Sequence, residues 1–381
     1  MGATKAFADF LGNEETIFKN ERSLMPEYIP ENFPHREHQI QAIATCLKPA
    51  LRGRRAYNVF IYGPPGTGKT AITRFLFNEM VEVSNEVVPI YVNCWEYNTR
   101  HAILCKILSE LKGFMPRRGV ATDEIFERFL KVVEKREKAI VIALDEVDQI
   151  VNKKEYAVLY DILRSNEWVN ANLSLVTISN DAFVMRYVDA RIKSSLCEEE
   201  IIFKPYTEKE LRDIVKERAR VAFYSGVVSE DIINEVARIT AEQGGDVRIA
   251  LECLWKAGRL AEREASRKIE LRHVKEVAKK LGDYQIKELL RALTHHEKIL
   301  LRIIAEMQIE EKEILTGILY EEYKKNCKEP VAERTFRNYI SRLETLRIID
   351  APLTSKGYRG KSRKIELRLQ PETVLEALSE V

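Results

Sequence analysis

Lys69 and Thr70 close the run Gly63-Pro64-Pro65-Gly66-Thr67-Gly68-Lys69-Thr70, which fits G-x-x-x-x-G-K-[ST] at every position. The chemistry such a run supports is phosphate binding. Gly66 and Gly68 permit backbone angles that a side chain would forbid, so successive N–H groups can converge on one anion. Lys69 adds a mobile cation for the β- and γ-phosphates, and the Thr70 hydroxyl suits a Mg²⁺ ion. Two further apolar runs end in polar residues: 139–144 in Asp145-Glu146, and 173–179 in Asn180. Asp145 could hold Mg²⁺ directly or through water, Glu146 could orient or deprotonate an attacking water, and Asn180 could hydrogen-bond a γ-phosphate. Arg248 follows Gly244-Gly245-Asp246-Val247 in the first turn of a predicted helix, where the dipole repels a cation and an anionic neighbour would suit it.

These side chains meet only if their strands run the same way. The apolar run Val59-Phe60-Ile61-Tyr62 precedes the glycine loop, and helical spacing over 71–80 follows it. A strand over 87–94, a helix carrying Ile103, Leu104, Ile107, Leu108 and Leu111, a loop at 113–119, a helix over 122–136 and the two acid- and amide-terminated strands come next. Strands alternating with helices call for an α/β unit with a parallel sheet covered on both faces. Parallel strands deliver their ends to one edge, which brings Asp145 beside Thr70. Ahead of them, Pro30 and Pro34 keep an arm from being helical until the spacing Ile40, Ile43, Leu47 begins a helix. His35 and His38 lack a third metal ligand nearby and read as surface or hydrogen-bonding residues.

After Lys204-Pro205-Tyr206 the alternation stops and a small helical domain follows. The expected division is 1–203, 204–289 and 290–381. In the last part, Thr294 with Glu297 forms a capping box before Ile299, Leu300, Ile303 and Ile304; helices over 313–323 and 332–346 follow, then strands over 348–350 and 365–369. Three helices and a β-hairpin are the order of a winged helix. Between 334 and 368 ten basic residues face three acids, a net of +7 in a chain whose whole charge is +2. Arg334, Arg337, Asn338 and Arg342 on the third helix, and Lys356, Tyr358, Arg359, Lys361, Arg363 and Lys364 in the wing, are therefore the candidate DNA contacts, with Ile340, Leu343 and Leu346 as core.

At 381 residues, 45% hydrophobic and 31% charged, the chain reads as globular and multidomain. Near-neutrality excludes a wholesale polycation. Six dispersed cysteines without a C-x-x-C pair read as reduced thiols. Neither a secretory leader nor an apolar run long enough to span a bilayer is found, so a cytoplasmic, nucleoid-associated protein is expected.

Taken together, the motifs resemble those of AAA+ ATPases of the initiator group, and most closely the archaeal origin-recognition replication initiators. The resemblance is carried by Tyr28-Ile29-Pro30, Pro34-His35-Arg36-Glu37-x-Gln39, Asp145-Glu146-Val147-Asp148, Ile178-Ser179-Asn180, the run from Asp189 to Leu196, Pro205-Tyr206-Thr207 and Gly244-Gly245-Asp246-Val247-Arg248. It implies an AAA+ P-loop sheet with a helical lid and a C-terminal winged-helix domain, binding ATP or ADP with Mg²⁺ and hydrolysing ATP slowly as a switch. On that basis Gly63, Pro64, Gly66, Thr67, Gly68, Lys69, Thr70 and Ala71 form the phosphate loop, Thr70 and Asp145 hold the metal, and Lys69, Asp145, Glu146, Asn180 and Arg248 are catalytic. Tyr28 and Ile29 would lie on the adenine side, with Tyr206 and Arg218 near the nucleotide. Residues 181–190, including Met185, Arg186 and Tyr187, would touch DNA. An arginine finger falls at Arg191 or at Ser195, the second alignment leaving the chain without one. The implied partners are double-stranded origin DNA, the replicative helicase and initiator paralogues, with no membrane. A signalling or transcription-regulating NTPase and a motor or clamp loader are the rival readings.

Overall fold

The apolar runs become strands wherever both faces of the sheet are covered. The structure, a computed structural model, describes residues 16–113, 120–346, 348–357 and 360–380. Two compact units divide at 274/275.

In the first unit, α1 (Glu37–Leu47) precedes β1 (Val59–Tyr62), α2 (Lys69–Val83), β2 (Val87–Asn93), α3 (Arg100–Glu110), α4 (Thr122–Glu134) and β3 (Ala139–Asp145). Then come α5 (Asp148–Asn152), α6 (Ala157–Trp168), β4 (Leu173–Ser179), α7 (Ala190–Leu196) and β5 (Glu199–Ile202). The five strands are parallel, in the order β2-β3-β4-β1-β5. Every residue of β3 and β4 is buried, as expected of central parallel strands. β5 was not anticipated: its Glu199 and Glu200 are exposed on an edge, where charge is common and periodicity is lost. Register places Tyr62 beside Ser179 and Asn93 beside Asp145, so β1, β3 and β4 end together.

The lid follows as α8 (Glu208–Ala222), α9 (Glu230–Glu242) and α10 (Val247–Arg263), and α11 (Leu271–Arg291) runs on from it. A full capping box at Thr207 and Glu210 starts α8. The N-terminal arm is bound to this lid. Lys19 N donates to Ala222 O at 2.7 Å, Phe18 bridges Phe223, and Trp255 Nε1 donates to Glu21 Oε1 at 2.6 Å.

The second unit contains α12 (His295–Ile309), α13 (Thr316–Asn326), α14 (Glu333–Thr345), β6 (Ile349–Asp350), β7 (Leu353–Gly357), β8 (Gly360–Arg363), β9 (Glu366–Leu367) and α15 (Pro371–Glu380). The expected capping box at Thr294 and Glu297 is present. β6 pairs with β9 and β7 with β8, both antiparallel, so the wing between the two expected strands is itself a hairpin. Phe336, Ile340 and Leu343 bury the inner face of α14, whereas Leu346, expected in that core, is exposed at its end.

Candidate functional site

The glycine loop turns through left-handed backbone at Gly66 (φ 69°) and Gly68 (φ 96°), the second capping α2. Lys69 is buried, and its ammonium donates to Gly63 O at 2.7 Å, Pro64 O at 2.8 Å and Asn180 Oδ1 at 2.9 Å. Burial pulls its pKa down to about 8, against the carboxylate of Asp145, which raises it. Thr67 Oγ1 also donates to Pro64 O, at 2.8 Å, which closes the loop on itself.

Thr70 Oγ1 donates to Asp145 Oδ2 at 2.5 Å, so the hydroxyl and the carboxylate are turned to one spot. Tyr91 OH donates to the same oxygen at 2.7 Å, and Glu146 N donates to Oδ1 at 2.9 Å. Glu146 has φ 56°, an uncommon conformation for a side-chain-bearing residue. Burial, then Asp145 and Asp148, raise its carboxyl pKa above the ordinary range. Asp148 fixes the neighbouring strand end, accepting from Ser179 Oγ at 3.0 Å and Asn180 N at 3.4 Å.

Above this edge lies a cleft of about 270 Å³. Gly66, Thr67, Gly68, Lys69, Thr70 and Ala71 line one side; Arg218, Arg248 and Leu251 of the lid line another, and Tyr28 and Ile29 of the arm complete it. The Arg218 guanidinium stands 4.9 Å from the Tyr28 ring centroid. Arg248 is held by its own helix cap, Nη2 to Asp246 Oδ2 at 2.6 Å and Nε to Oδ1 at 3.0 Å. Tyr206 is buried under the loop rather than lining the cleft.

Three participants were missed. Arg36, buried at the N-terminus of α1, donates to Thr67 O at 3.1 Å and Lys204 O at 2.6 Å and stacks 3.8 Å from the Tyr206 ring centroid. It thereby ties the phosphate loop to the start of the lid, and the dipole argument used for Arg248 would have singled it out. Tyr91 and Asp246 carried no comparable signal, because nothing in their local sequence marks a partner far along the chain. His35 Nε2 lies 3.0 Å from Asp213 Oδ2, and no metal-holding cluster occurs among the described residues.

Of the expected DNA contacts, Met185 is 4% exposed and packs in the α/β core, which removes it from any surface. The segment forms a single 3₁₀ turn, Val184–Tyr187, which turns Val184 and Met185 inward. Its outward residues are Arg186, Tyr187 (69% exposed) and Phe183 (55% exposed), with the Arg186 guanidinium 4.1 Å from the Phe183 ring centroid. Arg191 is exposed and Ser195 half-buried. In the second unit Arg334, Arg337 and Asn338 are exposed, and Arg337 pairs with Glu333 at 2.6 Å. Arg342 instead lies 3.2 Å from the fully buried Glu297 carboxylate. Arg363 pairs with Glu344 at 2.7 Å, and Lys364 with Glu366. Tyr358 and Arg359 lie outside the described residues, as do the side chains of Lys356 and Lys361. All six cysteines are free. Among the described residues no helix is long and apolar enough to cross a membrane.

Three family models match the chain: an AAA ATPase domain over 32–176, a Cdc6 AAA+ ATPase-type lid domain over 212–279, and a CDC6 C-terminal winged-helix domain over 288–377. The ORC1-type DNA replication protein 1 of Sulfurisphaera tokodaii is 38% identical over 96% of this chain and 93% of its own length. That of Archaeoglobus fulgidus is 38% identical over 98% and 93%. Among solved structures, the Aeropyrum pernix ORC1 protein in complex with DNA is 33% identical, covers 97% of this chain and 98% of its own, and superposes with a TM-score of 0.75.

Proposed function

The chain belongs to the ORC1-type DNA replication proteins, AAA+ ATPases with a Cdc6-type lid and winged helix, and on that premise we propose that it is an ATP-regulated initiator that binds origin duplex DNA and helps load the replicative helicase. The observation that carries this reading is the convergence of Lys69, Thr70, Asp145 and Asn180 on one sheet edge facing Arg248 of the lid. A nucleotide held there touches two bodies at once, so its γ-phosphate sets their mutual angle.

The donor set fits a triphosphate with Mg²⁺: a buried ammonium, a hydroxyl and a carboxylate sharing one position, and loop N–H groups at a helix start. When bound, Mg²⁺ neutralises charge on the β- and γ-oxygens, and Thr70 and Asp145 would hold it. Lys69 exchanges its loop carbonyls for phosphate oxygens. Tyr91 keeps Asp145 oriented by donating to Oδ2. Glu146 takes up the proton of the attacking water while Asn180 positions that water, and Arg248 leaves Asp246 for the γ-phosphate. Such a site hydrolyses slowly unless a neighbour adds an arginine, which suits a switch. Arg186, Tyr187, Arg334, Arg337, Asn338 and the wing cations are the proposed DNA contacts. That a relative was solved in complex with DNA supports DNA binding as such.

A footprint of the full chain on candidate origin duplexes, with ATP and then ADP, tests the function. Nucleotide-dependent protection of a discrete origin sequence is expected. Protection of promoters in place of origins would overturn the reading in favour of a transcriptional regulator.

A further inference from the structure

Helix α8 of the lid carries Lys209, Arg212, Lys216 and Arg220, all exposed, at offsets of 3, 7 and 11 residues from the first. Those offsets bring all four to one face, a row about 16 Å long at 1.5 Å per residue. Among the described residues, Lys209, Arg212 and Arg220 have no ion-pair or side-chain hydrogen-bond partner. Lys216 alone reaches a carboxylate, Glu230. Lys19 of the arm, fixed beside the end of α8 by its backbone bond to Ala222, adds a fifth exposed cation, likewise unpartnered.

Among the described residues several other lid cations are neutralised, although the exposed Arg263 and Lys268 are not. Arg238 pairs with Glu235 and Glu242, Lys256 with Glu252, and Arg272 with Glu264 and Glu270. Three of the four carboxylates of α8 are committed elsewhere: Glu210 closes the capping box, Asp213 takes His35, and Glu217 acts on the half-buried Arg218, which leaves the exposed Glu208. Unscreened like charges along one face repel and cost stability, and an anionic occupant would relieve that repulsion. At its C-terminal end the row borders a groove of about 470 Å³, walled by Lys19, Lys216 and Arg220 and opening at Tyr224, which is 54% exposed.

We infer that this face of the lid is a further contact for duplex DNA, gripping the phosphate backbone without reading bases. The inference rests on the DNA-binding function proposed above. A protein partner fits less well, because interfaces between proteins are built around buried apolar anchors. No large apolar side chain is exposed anywhere on α8. A duplex presents about one charge per 1.7 Å of axis, so a cation at each helical turn always finds a phosphate in reach. Tyr224 packs against sugar at the groove.

The test is anisotropy of a labelled duplex against the full chain with ATP, across a salt series, comparing wild type, Lys209→Gln/Arg212→Gln/Arg220→Gln, and Lys361→Gln/Arg363→Gln/Lys364→Gln. The lid variant is expected to flatten the log K against log salt slope by about two to three units, and to lose roughly ten-fold or more in affinity near 0.1 M salt. The loss should be equal on origin and scrambled duplexes, with melting temperature and nucleotide affinity unchanged. A lid variant with the wild-type slope, beside a wing variant that loses slope, overturns the lid contact alone. A loss confined to the origin sequence overturns a backbone-only contact. A wild-type chain that binds no duplex at low salt overturns the proposed function as well.

Discussion

A β-carbon placed on Gly66 would stand 1.7 Å from Asp246 Oδ1, so the N-cap carboxylate of the lid helix α10 is seated directly on the phosphate loop. Val247 N reinforces the seat by donating to Gly66 O at 3.3 Å. Gly66→Ala therefore has two costs: a side chain at φ 69°, about 1–3 kcal/mol, and displacement of Asp246 from the loop. Nucleotide affinity measured with a fluorescent analogue should fall at least about ten-fold, with little change in the melting of the second unit.

Asp246→Asn should act in the opposite direction. Asparagine caps a helix as well as aspartate does, so the bond from Arg248 N is kept, but the charge that engages the Arg248 guanidinium is gone. Arg248 is then free for a γ-phosphate, and ATP should bind several-fold tighter than in wild type while ADP changes little. Equal gains for both nucleotides would place Arg248 away from the γ-phosphate.

The Lys69 ammonium gives a pH dependence with a definite sign. Its pKa in the folded chain is lowered to about 8, chiefly by burial, and a bound polyphosphate would raise it again. Below pH 8 the lysine is already charged and binding is nearly pH-independent; above it, binding must take up a proton. Affinity should therefore fall as pH rises through 8, by at most about ten-fold per unit, until the bound-state value is reached. The nucleotide-free fold responds oppositely through this group, because a depressed lysine weakens the fold below pH 8 and the penalty fades above it. Calorimetric titrations near pH 8.5 in buffers of different ionisation enthalpy should report net proton uptake on binding, and Lys69→Ala should abolish both binding and uptake.

Glu146 combines left-handed backbone with a carboxyl pKa raised by burial and by Asp145 and Asp148. A strained residue beside a metal-ligand candidate, with a proton affinity above that of an ordinary carboxylate, is suited to accept a proton from water. Glu146→Gln should leave nucleotide affinity within about two-fold and slow single-turnover hydrolysis by roughly 100-fold. An unaltered hydrolysis rate would pass the role to another group.

What the sequence made legible is what local pattern encodes. Gly66, Gly68, Lys69 and Thr70 are neighbours whose chemistry is complete within one turn, and the buried runs ending at Asp145 and Asn180 carry direction as well as position. The capping boxes at Thr207 and Thr294 are likewise spelled out within four residues, although only the second was read. Legibility failed where folded side-chain geometry, near or far along the chain, decides the partner. Arg248 was read as reaching for phosphate, yet its neighbour two residues back holds it. Met185 is flanked by exposed Arg186 and Tyr187, and only the packing of a 3₁₀ turn decides which of the three turns inward. The edge strand β5 was invisible because its alternation is masked by two exposed glutamates.

Arg342 illustrates the same limit in the winged helix and supports a separable prediction. Its charge and its place on α14 suggest a phosphate contact, but Nη1 lies 3.2 Å from Oε1 of Glu297, whose carboxylate is fully buried while Oε2 closes the cap on Thr294. The pair joins the start of α12 to the end of α14. Removing the guanidinium leaves a buried carboxylate without its counter-charge, which costs about 2 kcal/mol even with Thr294 still bound. Arg342→Gln should accordingly lower the melting temperature of the second unit and leave the salt slope for DNA unchanged. Arg334→Gln, at an exposed position without such a partner, should reduce the slope by about one unit and leave melting alone. The reverse pattern, with slope lost at Arg342 and kept at Arg334, would mean that Arg342 abandons Glu297 for DNA and that α14 turns a different face to the duplex.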